Sequence, residues 1–151
     1  MRLLDVIREI ERAAAAQPAV HSVCRQDVFR INGRPDVRYA VFAWLQGTHS
    51  ASLDTGLWNF SFTLFYVDRL TADGGNLAEV QATGMEVLRN ILLALQERGV
   101  YTDGTPSFEV FRQRFVDDCG GVFCRVTFEV PQGGACVEEY DDLSDREVLT
   151  I

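Results

Sequence analysis

Three sets of residues in this 151-residue chain have the types and spacing to do chemistry. His49 and Asp54 share one short polar segment, GTHSASLDTG from Gly47 to Gly56, and could work as an acid–base pair. Cys24, Cys119, Cys124 and Cys136, with His21 and His49, are the residues that could hold a soft metal. Asp117 and Asp118 are adjacent carboxylates that could share a divalent cation. Each set has a plainer reading. No nucleophile and no phosphate-binding glycine pattern accompanies His49 and Asp54, so the segment reads as a connector. No two cysteines are spaced C-x-x-C, so they read as reduced thiols, and Cys124 alternates with Val122, Val126 and Phe128 as a core residue. Asp117-Asp118 stands beside Gly120-Gly121 and reads as a turn.

P-loop, GxGxxG, GxSxG and HExxH motifs do not occur. The chain is therefore expected to be no enzyme, and to carry no cofactor and no metal.

The element that must organise the rest is the run from Leu57 to Gly99. Trp58, Phe60, Phe62, Leu64 and Tyr66 alternate with Asn59, Ser61, Thr63, Phe65 and Val67. A period of two in aromatic and β-branched residues predicts a half-buried strand. Asp73-Gly74-Gly75 ends it. Asn76 and Glu79 have the spacing of a capping box, and Leu77, Val80, Leu88, Ile91, Leu92 and Leu95 recur at helical intervals up to Gly99. An earlier helix is expected over Leu3 to Ala16, with Leu3, Leu4, Ile7, Ile10 and Ala14 on its apolar face and Pro18 as its stop. Strands are expected over Val20 to Ile31 and Val37 to Gln46, joined as a hairpin through Asn32-Gly33. Two more are expected over Phe108 to Phe115 and Val122 to Val130, with a turn at Asp117 to Gly121. The order α-β-β-β-α-β-β predicts an α+β fold, an antiparallel-rich mixed sheet of about five strands with two helices on one face. Residues 1–136 read as a single domain and residues 137–151 as an acidic tail.

That tail holds Glu138, Glu139, Asp141, Asp142, Asp145 and Glu147 against Arg146, a net charge of −5 within a chain total of −8. All fourteen basic residues are Arg, which fits either Arg-mediated pairing at interfaces or a GC-rich coding sequence. A net negative chain without a basic cluster argues against sequence-specific nucleic-acid binding. No apolar run approaches the ~20 residues of a membrane helix, and the mixed charges of the first helix do not suit a membrane surface. The N-terminal charges are not arranged as in a secretion signal, so a cytoplasmic or virion location is expected.

Five strands and two helices leave apolar surface to cover. Phe42, Trp44, Phe65, Phe111 and Phe115 are expected opposite the helix-covered sets, with Arg112 and Arg114 on the other side of their strand. Burial against copies of the same chain follows, so a homo-oligomer is expected. The candidate interface comprises these residues with Glu138, Glu139, Asp141 and Asp142 of the tail.

The order of one N-terminal helix, a long hairpin, a strand, a long helix and a final hairpin resembles tail terminator and tail-completion proteins of tailed bacteriophages. The stretch FSFTLFYVDRLTADGGNLAEVQATGMEVLRNILLALQERG is similar to short proteins of phages and prophages in gut Bacteroidetes. Those carry a strand ending in a Val-Asp pair, here Val67-Asp68, then a helix with Asn-Ile-Leu, here Asn90-Ile91-Leu92. The resemblance implies a ring, commonly of six subunits, that caps the tail tube and joins it to the head connector. It implies those proteins as partners and the virion, or the host cytoplasm during assembly, as the location. It carries over no functional residue. A small-ligand-binding or enzymatic domain, with a pocket between the sheet and the Asn76 to Arg98 helix, is the alternative. A third reading is an adaptor whose acidic tail imitates nucleic acid.

Overall fold

The structure, a computed structural model, describes residues 1–25, 37–114 and 118–133. The described elements run α1 (Leu3–Ala15), β1 (Ser22–Cys24), β2 (Val41–Gln46), β3 (Ser50–Ser52), β4 (Leu57–Arg69), α2 (Leu77–Glu97), β5 (Tyr101–Thr102), β6 (Ser107–Arg114) and β7 (Asp118–Pro131). The class is α+β, with a mixed sheet of seven described strands in the order β1-β2-β4-β7-β5. β3 is added beside β4, and β6 beside β7.

The alternating run is the backbone of the sheet. β4 pairs antiparallel with β7 from Leu57↔Pro131 to Arg69↔Cys119. Directly opposed residues share a face, so Phe60, Phe62, Leu64 and Tyr66 stand with Phe128, Val126, Cys124 and Val122. All eight are buried in one cluster with Val6, Ile10, Ala13 and Ala14 of α1 and Val80, Val87, Leu88, Ile91, Leu92 and Leu95 of α2. Both helices therefore cover the same face.

Several expectations are corrected. β1 pairs with β2 in parallel, Ser22↔Val41 through Cys24↔Ala43, not as a hairpin. A tight two-residue turn cannot join parallel strands, so the Asn32-Gly33 signal does not describe this pairing. The rest of the expected first strand, from residue 26, and that turn lie outside the described residues. β3 is a strand where a connector was expected, and β5 is a strand that was not expected between the long helix and the strand at Phe108. Three and two residues are too short to show a period of two. The turn expected at Asp117 to Gly121 is strand from Asp118 onward. A Cβ on Gly121 would run into the Tyr66 carbonyl oxygen, so Gly121 admits a close neighbouring backbone, and Gly120 the side chains of Leu77 and Leu70, rather than a reversal.

In α1 the buried residues are Val6, Ile10, Ala13 and Ala14, whereas Leu4 is 46% exposed. Asn76 does not cap α2 with its side chain. Its Oδ1 accepts from the Thr71 N–H at 2.8 Å, and its Nδ2 donates to the Arg69 carbonyl at 3.2 Å. The side chain braces the loop entering the helix. Gly99, at φ +86°, supplies the left-handed residue that ends α2.

Candidate functional site

The helix-free face carries the odd-numbered residues of β4. Ala43 of β2, Phe65 of β4 and Phe123 of β7 lie side by side in register, and Glu109 of β6 follows. The Phe65 and Phe123 ring centroids are 5.7 Å apart, and Phe111 of β6 lies 6.2 Å from Phe123. Phe111 reaches Phe123 diagonally because its own cross-strand partner is Gly121, which leaves room for the ring. The three rings form a row that crosses three strands of the sheet. All three are half-buried. With Leu45, Thr63, Gln113 and Arg125 they line a groove of about 320 Å³. The Arg125 guanidinium sits 5.3 Å from the Phe123 ring centre, a cation–π contact at the groove's rim.

One end of this face is closed by the chain itself. Val41, Ala43, Val67 and Cys119 are buried there beneath Tyr39, Val37 and Cys24. The Cys119 thiol donates to the Tyr39 hydroxyl at 3.6 Å, and Arg69 stacks 4.9 Å over the Tyr39 ring.

Of the aromatic residues expected on this surface, Phe65 and Phe111 are there. Phe42 and Trp44 are not. Phe42 opposes Tyr66 and Trp44 opposes Leu64, so both point to the helix-covered face. Phe42 is fully buried and Trp44 is 7% exposed, its indole edge-on to Phe62 at 5.9 Å. The reason is register: pairing with β4, not composition, selects which parity of β2 faces the helices. The indole N–H of Trp44 has no hydrogen-bond partner among the described residues. Phe115, Glu138, Glu139, Asp141 and Asp142 lie outside the described residues, as does the side chain of Arg114. Phe123 completes the row and was missed, although its place between the inward Val122 and Cys124 could have marked it as facing the other side.

Arg112 is exposed and is paired within the chain. Its Nη2 lies 2.8 Å from Asp118 Oδ2 and its Nε 3.3 Å from Oδ1, and that carboxylate raises the guanidinium's pKa. The forked pair lies against Gly74, where a Cβ would come within 2.9 Å of Arg112 Nη2. It ties the β6–β7 pair to the loop before α2. Asp118 is thus engaged with an arginine, and Asp117 lies outside the described residues.

His49 is held by structure rather than by Asp54. Its Nδ1 accepts the Ser61 N–H at 3.1 Å, and its Nε2 is 2.9 Å from Gln46 Oε1. An accepting Nδ1 fixes the proton on Nε2, which donates to Gln46. The ring packs against Phe60 and Phe62 at 5.3 and 5.6 Å, and burial holds its pKa below the ordinary value. Asp54 is exposed. The segment is a fixed corner, not a loose connector.

Burial pushes the Cys124 thiol up to about 12. Burial, followed by the nearby Asp68, raises the Tyr66 phenol to about 12, and burial raises Asp68 itself. The Cys124 thiol and the Tyr66 phenol are therefore neutral at ordinary pH. Among the described residues no group of three or more His, Cys, Asp or Glu is placed to hold a metal ion. No described helix is long and apolar enough to cross a membrane.

Beneath the middle of α2 the contact with the sheet is closed. A Cβ on Gly84 would lie 2.8 Å from the Tyr66 ring and 2.9 Å from Val122. Farther along, a groove of about 240 Å³ opens between the second half of α2 and β5–β6, with Arg89, Leu93, Pro106 and Phe108 among its walls.

No family model matches the chain, and no curated protein matches it.

Proposed function

We propose that this chain is a structural subunit, with no catalytic activity, that assembles with copies of itself through the helix-free face of its sheet. The reading follows the resemblance to phage tail terminator and tail-completion proteins. It places the chain in a ring that caps a tail tube and meets a head connector, in the virion or in the host cytoplasm during assembly. The observation that supports it is the row Phe65–Phe123–Phe111, half-exposed on a face that neither helix covers. Aromatic rings are enriched at the centres of interfaces, and the few that act as anchors cost about 2 kcal/mol or more on truncation.

Sedimentation velocity over a hundredfold range of concentration tests the reading. The expected result is a species larger than the monomer whose share grows with concentration. Phe123→Ser is expected to shift its midpoint about thirtyfold upward, the equivalent of about 2 kcal/mol. A wild-type chain that stays monomeric throughout, or a variant that assembles as well as the wild type, removes the support.

A further inference from the structure

β6 serves two surfaces at once. Successive residues of a strand point to opposite faces, so Glu109 and Phe111 stand on the helix-free side and Phe108 and Val110 on the side of α2. The first side carries the row Phe65–Phe123–Phe111. The second carries a separate apolar patch. Met85 and Leu93 of α2 and Val110 of β6 are 44%, 45% and 53% exposed, beside the 240 Å³ groove walled by Leu93 and Phe108. Large apolar side chains gathered on one surface mark an interaction site.

Each patch also carries one charge of either sign. Glu109 opposes Phe123 across the β6–β7 pair, and Arg125 lies two residues along β7. Such diagonal neighbours are about 7 Å apart. Both side chains are exposed, and their contact, at 4.0 Å, is a long one. On α2, Glu86 and Arg89 are exposed and three residues apart, which brings them within about 6 Å on the helix surface. Laid against each other, the two pairs match in spacing and in sign: Glu109 meets Arg89, and Arg125 meets Glu86.

We infer that the helix-free face of one copy is covered by the α2–β6 patch of a second copy, in a head-to-tail contact. The inference rests on the reading of that face as an interface and names the surface it meets. A face that paired with itself would close at two copies and leave Met85, Leu93 and Val110 bare in each. A head-to-tail contact covers both patches. Because they lie on opposite sides of one sheet, the contact repeats from copy to copy, and repetition about an axis closes a ring.

Two full-length variants test this by sedimentation velocity, with circular dichroism as the check on folding. Leu93→Glu/Val110→Glu changes exposed positions of the α2–β6 patch and leaves the aromatic row intact. Phe123→Ser does the reverse. Just above the wild-type midpoint, each alone is expected to be monomeric. An equimolar mixture is expected to form dimers and nothing larger, since the intact row of one variant meets the intact patch of the other and no second contact can follow. A Leu93→Glu/Val110→Glu chain that assembles like the wild type shows the face pairing with itself; that overturns the inference and leaves the interface reading standing. A mixture that stays monomeric also overturns it. A wild-type chain that is monomeric at every concentration removes the interface reading, and this inference with it. Charge exchange gives a second measurement. Glu109→Arg and Arg89→Glu are each expected to raise the assembly midpoint about tenfold, and together in one chain to return it to the wild-type value. A combined chain weaker than either single variant overturns the inference.

Discussion

Gly84 of α2 stands so close to Tyr66 of β4 that a Cβ on the glycine would lie 2.8 Å from the Tyr66 ring. The same Cβ would meet Val122 of β7 at 2.9 Å. A glycine in mid-helix normally costs about 1 kcal/mol against alanine. Here the close approach outweighs propensity. Gly84→Ala is expected to destabilise the fold by about 1–3 kcal/mol through overpacking, despite the better helix former. Denaturant unfolding checks it; a midpoint that rises would show that α2 shifts freely over the sheet.

Asn76 separates a cap from a brace. If it capped α2, serine would replace it at little cost, since the two residues rank alike at that position. It instead accepts from Thr71 and donates to the Arg69 carbonyl. Serine is too short to span both. Asn76→Ser is therefore expected to cost about 1 kcal/mol or more, the worth of the bonds lost, by equilibrium unfolding.

His49 makes stability depend on pH with a definite sign. Burial holds its folded pKa below the ordinary 6.5, and its Nδ1 must stay unprotonated to accept the Ser61 N–H. Between those two values the unfolded chain binds more protons, so stability rises with pH there. The contribution is fully present above about 6.5 and is lost as pH falls through the lower folded value. Asp68, whose pKa is raised, acts with the opposite sign in the lower range of carboxylates. Melting temperatures between pH 7.5 and 5.5 are expected to fall on acidification, and His49→Gln is expected to flatten that slope.

Cys124 is fully buried and its thiol is pushed up to about 12, so the reactive thiolate is absent at neutral pH. Iodoacetamide at pH 8 is expected to leave Cys124 unmodified in the folded chain and to label it once the chain is unfolded. Peptide mass mapping reads the difference, and native labelling at Cys124 would show that the core opens locally.

Much of the architecture was legible before any coordinates. The alternation from Trp58 to Tyr66 and from Val122 to Val130 names the residues on the helix-covered face, all of them buried except Trp58, which is partly so. Gly99 marks the end of α2. These are local signals, because a strand's period and a helix's stop are set by the residues that form them. β3 and β5 were not legible, since their few residues pair only because β4 and β7 stand beside them. The candidate site was half legible. Phe65 and Phe111 fall where expected, whereas Phe42 and Trp44 turn inward.

The sequence by itself determined the class of fold, the two amphipathic helices, the two long strands and the acidity of the tail, because periodicity and charge are properties of consecutive residues. Only the tertiary structure decided that β1 runs parallel to β2, that Asn76 braces a loop, and that Phe123 joins Phe65 and Phe111 in one row. The first and the last depend on register between separate strands, and the brace on how the β4–α2 loop folds back on itself. A shift of one residue in such a register moves every side chain to the opposite face, and no local pattern records it.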